Sequence, residues 1–279
     1  MKGIMMKIKI IILFIILSFF RLAHTQDFIV PESAAFDSTT GCYYISNYGN
    51  GNIIQINPNG EKALFEEKLH KSLGIILNQN ILYVVENPQT VRGFNLSDGT
   101  ETLKVIIHEA LFLNDITCDD KGFLYVTDSR LNTVFKINPV ERNYVPFVKT
   151  RVDDPNGILF DKWNNRLIVC YFTENAPIDG ISLADTAVTI LVRGGLNNLD
   201  GLTQDKSGSI YVSSWGPGSF QTGFKNLGAV YRFDNQFTQG PEIVSDSLYG
   251  PADIYFNINR DELVIPLFLK NDVKFLQIP

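Results

Sequence analysis

After its first 30 residues the chain repeats one phrase six times, and that periodicity leaves few folds open. Each copy reads roughly as two variable residues, an apolar one, two more variable residues, an Asp, a turn, and then an apolar-Tyr-Val run. The leading slot holds Glu32, Leu73, Asn114, Asn156, Asp200 and Ala252 in turn, at spacings of 41, 41, 42, 44 and 52 residues. Tandem units of this length with short alternating strands stack as blades of a β-propeller. We therefore expect an all-β, six-bladed β-propeller occupying 26–279 as one domain. Blade three is the clearest copy, with strands read over 115–119, 123–127, 133–138 and 143–148 around a Lys121-Gly122 turn. The sixth copy has segments for only three strands before Pro279. Gln26 to Val30 is expected to supply the fourth, closing the ring by pairing the N-terminal strand with the last blade.

The N-terminus reads as an export signal. Lys2, Lys7 and Lys9 precede an apolar run from Ile10 to Phe20, and Ala23-His24-Thr25 forms a plausible cleavage region. A helix of 11 residues rises about 16 Å against a hydrocarbon core of about 30 Å, so no membrane span is expected in the mature form. The expectation is a signal peptide over 1–25 and a secreted or periplasmic protein; an uncleaved anchor is the alternative. Net charge is −6, and removing four bases and no acids with the signal takes it to −10. An acidic body without a basic cluster argues against nucleic acid as a partner. Cys42, Cys118 and Cys170 lie in apolar strand phrases of three different blades, which suits buried free thiols. His70 and His108 fall outside the leading register, so neither a Ser-His-Asp triad nor a histidine zinc site is supported.

In a propeller the innermost strands begin at one height beside the axis. Glu32, Asn114, Asn156 and Asp200 are thus expected to converge, with Asp115 and Asp253 in the following positions. Bare carboxylates so placed repel strongly. Carboxylate and amide oxygens without sulfur or imidazole favour Ca²⁺ or another hard divalent cation; a hydrated polar channel is the alternative. Loops between second and third strands open on the same face. Blade five carries its extra residues there, over Ser214 to Gly228, and Trp215, Phe220 and Phe224 read as a lid or pocket wall. A plain surface insertion is the competing view.

The phrases PESAAFD (31–37), LNDITCD (113–119), PNGILFD (155–161) and LDGLTQD (199–205) carry a family likeness. Over 26–279 the chain resembles the senescence-marker protein and gluconolactonase family of six-bladed calcium-dependent propeller hydrolases. More broadly it is similar to diisopropyl fluorophosphatase and the paraoxonases. The resemblance implies Glu32, Asn114, Asn156 and Asp200 as metal ligands and a small-molecule substrate. It implies Asp200 as general base or nucleophile, with Asp115 orienting the site. Departures are visible. Phe112 stands where sugar lactonases of this group carry an arginine, Glu32-Ser33-Ala34 replaces E-G-P, and the paraoxonase histidine has no counterpart. An apolar lactone or ester is therefore expected rather than a sugar acid, in a pocket of Phe112, Trp215, Phe220, Phe224 and Asp253. Two other readings share the fold. One is a non-enzymatic NHL-like propeller with a structural ion; the other, a strictosidine-synthase-like enzyme, needs a catalytic glutamate that the sequence does not assign.

Overall fold

The computed structural model describes residues 27–67, 69–224 and 228–279. The export signal expected over 1–25 lies outside the described residues. Strand formation follows the repeat. Segments such as Ile81–Glu86 (ILYVVE) and Leu124–Asp128 (LYVTD) are β-branched and aromatic, which suits a pleated, packed surface. Among the described residues, five sheets have four antiparallel strands taken in chain order and a sixth has three. A short hairpin, Gly218–Ser219 with Gly223–Phe224, rides on the fifth.

The inner strands are Pro31–Asp37, Ser72–Asn78, Leu113–Cys118, Pro155–Asp161, Leu199–Gln204 and Tyr255–Asn257. Each packs against the next, and the sixth returns to the first, giving a closed six-bladed β-propeller. Because every blade stacks on both neighbours, its second strand is buried on both faces. Leu82, Val84, Leu124, Val126, Ile168 and Val212 are all fully buried. Apolar clusters accordingly straddle blade boundaries, as where Ile168 and Cys170 of blade four join Ile210 and Val212 of blade five. Burial between blades, rather than within them, holds the ring together.

The repeated Asp is a turn cap. Asp119 accepts from the N–H of Lys121 and Phe123, Asp161 from Trp163, and Asp205 from Ser207 and Ser209. This is ordinary Asx-turn chemistry, and it explains the most regular polar position of the repeat without any ligand.

Closure differs from the strand pairing expected from the sequence. Asp27 to Val30 adds no strand to the last sheet, which keeps three strands; Gln26 lies outside the described residues. Instead Val30 and Ile29 accept from the N–H of Tyr48 and Gly49 in blade one, and Val30 N–H donates to Asn271 of blade six. Phe28 is buried between the first and last blades beside Phe36, Tyr43, Val264 and Val273. Side chains complete the seam. Asn257 donates to the Tyr43 hydroxyl at 2.6 Å, that hydroxyl donates to Glu262, and Arg260 covers the Phe36 and Tyr43 rings. A wedge of packing does what a fourth strand would have done.

Candidate functional site

The leading slot of the repeat is where the inner strands depart from regular pairing. In blades one to five the register between first and second strands shifts at this position, the mark of a β-bulge. A bulge bends the strand and re-aims the local side chains. The strands also crowd together here. A Cβ on Gly157 would lie 2.3 Å from the Asp200 carbonyl oxygen, and one on Gly201 would lie 2.4 Å from the Cα of Asp253. Only glycine permits that approach.

Short polar side chains on the second strands tie neighbouring inner strands at the hub. Thr127 accepts from Asp115 N–H and donates to the Asn156 carbonyl at 2.7 Å. Ser213 likewise links Gly201 N–H to the Ala252 carbonyl, and Cys170 reaches the Asp200 carbonyl. The backbone carrying the slot is thus held from both sides. Slot side chains project from a rigid ring.

A cavity of about 660 Å³ opens over this ring and is lined by Glu32, Leu73, Asn114, Asn156 and Asp200 at its floor. Its size suits a small molecule. The Asn114 amide donates to Ser129 at 3.1 Å, leaving its oxygen free. Glu32 Oε2, Asn114 Oδ1 and Asp200 Oδ1 are buried and have no hydrogen-bond partner among the described residues. Buried oxygens are rarely left unpaired. Three of them at one floor form a donor set able to hold a hard divalent cation. Among the described residues no three His, Cys, Asp or Glu side chains group closely enough to hold a metal ion by themselves.

Burial and like charges raise the carboxyls of the ring. Burial, then the charges of Asp200, Asp253 and Asp115, hold the Glu32 carboxyl well above the usual range. Burial pushes Asp200 up to about 8, opposed by the Trp215 N–H and reinforced by Asp115. The Trp215 N–H lies near the Asp200 carboxyl, where it favours the ionised form, without meeting the distance and angle of a well-formed hydrogen bond. Asp115 is raised by burial to about 7 although the N–H groups of Ile158 and Ile116 oppose the shift.

Not every expected residue faces the cavity. Phe112, Trp215 and Phe220 line it. Phe224 stands behind them, its ring 4.9 Å from that of Trp215. Asp115 and Asp253 lie beneath the floor as struts. Asp115 accepts from Ile116 and Ile158 N–H at 2.7 and 2.8 Å, and Asp253 accepts from Ser33 Oγ at 2.5 Å.

The sequence reading missed a second ring. The residue just after each second strand is Tyr48, Asn87, Ser129, Phe172, Trp215 and Phe268, at spacings of 39, 42, 43, 43 and 53 residues. Four of these six are aromatic, and all but Asn87 line the cavity. They form a continuous arc, with ring centroids 5.7 Å apart for Tyr48 and Phe268, 5.2 Å for Phe268 and Trp215, and 5.4 Å for Trp215 and Phe172. Comparing blades at the strand exit as well as the strand entry would have found them. Arg130 and Asp154, also missed, line the cavity as well, Asp154 beside Phe172, whose N–H its carbonyl accepts.

No family model and no curated protein matches the chain. Solved structures do. A gluconolactonase of Xanthomonas campestris is 16% identical, with a TM-score of 0.71, over 91% of this chain and 87% of that one. A streptogramin B lyase is 16% identical, with a TM-score of 0.65, over 85% and 76% of the two chains. A nidogen–laminin complex gives 15% identity and a TM-score of 0.63 over 89% and 93%. At these identities the likeness is one of fold, and the propeller is common to a hydrolase, a lyase and a protein-binding module.

Proposed function

We propose that the chain is an exported, Ca²⁺-dependent hydrolase of lactones or esters whose site lies at the mouth of the propeller's central tunnel. The carrying observation is the trio of unpaired, buried oxygens on Glu32, Asn114 and Asp200, facing a cavity of small-molecule size. With Asn156 they would hold the ion. When bound, such an ion polarises a carbonyl oxygen and stabilises the charge that develops on it. With Oδ1 toward the ion, the other carboxylate oxygen of Asp200 would take a proton from an attacking water, or attack directly. Asn114, pinned through its amide to Ser129, keeps its oxygen turned to the floor. Asp115 and Ser33 hold the backbone of neighbouring blades through Ile158 and Ile75 N–H, so they position the ring rather than touch substrate. The aromatic arc keeps water from one side of the reacting group. It also favours an apolar acyl or ring substituent over a sugar.

The test is turnover of a lactone and ester panel by wild type and Asp200→Asn, with calcium and with chelator. Calcium-dependent hydrolysis that falls at least about 100-fold in Asp200→Asn, with folding retained, is the expected result. Undiminished turnover in Asp200→Asn removes Asp200 from the chemistry. A folded, calcium-stabilised wild type that turns over nothing in the panel points to a binding propeller.

A further inference from the structure

We infer that the cavity is built for an amphipathic anion, a ligand with an apolar or aromatic body and a carboxylate held away from the oxygen ring. The inference rests on the hydrolase reading above and names the substrate class for the same site.

The cavity walls are asymmetric. Blades four, five, six and one contribute Phe172, Trp215, Phe268 and Tyr48, an unbroken aromatic arc. Phe220, from the hairpin of blade five, stacks on Phe172 with 6.1 Å between centroids and extends the arc upward. The matching slot in blade three holds Ser129, and Arg130 follows it. A ligand lying across the mouth therefore meets rings along the arc and a guanidinium at blade three.

Arg130 is free to bind. Among the described residues it forms no salt bridge, and its guanidinium lies over the Phe112 ring at 5.2 Å. Stacking of this kind steadies the planar group while leaving its N–H edge open for a bidentate carboxylate. The platform is itself fixed, because Asp128, fully buried, accepts from the N–H of Leu111 and Phe112 at 2.7 and 3.1 Å. Asp154 is a lining acid on the same stretch of wall. It feels Arg130's charge but is not ion-paired with it. The nearby Lys71 is occupied, donating to the Tyr48 hydroxyl at 2.8 Å.

Trp215 adds a polar group to the aromatic wall. Trp215 is 2% exposed, yet its Nε1–H has no hydrogen-bond partner. Its ring borders the cavity and is clamped by Phe172, Phe224 and Phe268. The donor lies close enough to the Asp200 carboxyl to lower its pKa, and a ligand oxygen over the floor can share that donor. A ligand carbonyl supplies such an oxygen. Arg130 is the cationic side chain among the lining residues, so the carboxylate belongs at the Arg130 end.

The experiment is equilibrium binding of two probes that are neither lactone nor ester, 4-phenylbutyrate and its neutral amide, the amide checked for integrity after each titration. It uses calorimetry and the emission of Trp215 in a Trp163→Phe background, with calcium and with chelator. We expect the carboxylate to bind at least about tenfold more tightly than the amide under both conditions. Arg130→Gln should abolish that preference and leave amide affinity unchanged, while Arg130→Lys should restore part of it. Equal binding of the two probes, or binding of neither, overturns the inference. So does a preference that survives Arg130→Gln, or one seen only with calcium, which would put the carboxylate on the ion. The hydrolase reading is tested separately. A protein that turns nothing over but shows the Arg130-dependent preference loses only that reading, and an active protein without the preference loses only this inference.

Discussion

Replacing Asp200 by Asn should make the cation-free protein more stable at pH 8, not less. The Asp200 carboxyl moves from an ordinary 3.8 to about 8 on folding, driven first by burial. A carboxyl raised in this way binds more protons folded than unfolded between those two values, so stability falls as pH rises through that window. Each unit is worth about 1.4 kcal/mol, and from pH 5 to pH 8 the loss attributable to this one group is about 3–4 kcal/mol. For a domain of this size that corresponds to a fall in Tm of roughly 6–15 °C. Asn keeps the volume of Asp and stays neutral, so the variant should lose this share of the pH dependence. Some dependence should remain, because Asp115 is raised to about 7 and Glu32 is raised as well. The assay is differential scanning calorimetry of both proteins at pH 5, 6, 7 and 8, in chelator and in excess calcium. In chelator the Asn variant should melt above wild type at pH 8, with the gap closing toward pH 5. Calcium at pH 8 should raise the wild-type Tm and raise that of the variant much less. Parallel wild-type and variant curves across pH 5–8 in chelator would refute the reasoning, since Asp200 would then carry no unusual burial cost.

Two further outcomes follow from the geometry. Gly157→Ala should cost about 2–3 kcal/mol by overpacking, because the added methyl meets the Asp200 carbonyl at 2.3 Å; a lowered urea midpoint with weaker calcium stabilisation checks it. Phe28→Ala should cost about 3–4 kcal/mol in urea unfolding and lower the whole cooperative transition, since Phe28 is buried between the first and last blades; an unchanged midpoint would show that the wedge is dispensable.

How much of this was legible beforehand depends on whether the signal was periodic. The leading slot recurs once per blade, and a closed ring converts equal position in the repeat into equal height on the axis. That is why Glu32, Asn114, Asn156 and Asp200 could be named together from sequence, and all four line one cavity. The aromatic collar obeys the same logic one strand later and was overlooked only because the comparison stopped at the strand entry. Asp115 and Asp253 stand one position past the leading slot, and the sequence reading grouped them with the site all the same. A shift of one residue along a strand turns a side chain to the other face, and here it turned them down among the backbone N–H and Ser33 partners they hold.

By itself the sequence determined the blade count, the all-β class and the ring of oxygen-bearing residues, because these follow from local alternation repeated at a fixed period. Tertiary structure alone decided how the ring closes. A fourth strand was the economical answer from chain length, yet Phe28 packing and the Tyr43–Asn257–Glu262 contacts seal the seam instead. It alone also set Arg130 over Phe112. Neither contact has a period to betray it. Each joins elements whose meeting depends on how the blades stack in three dimensions, and no pattern along the chain encodes that.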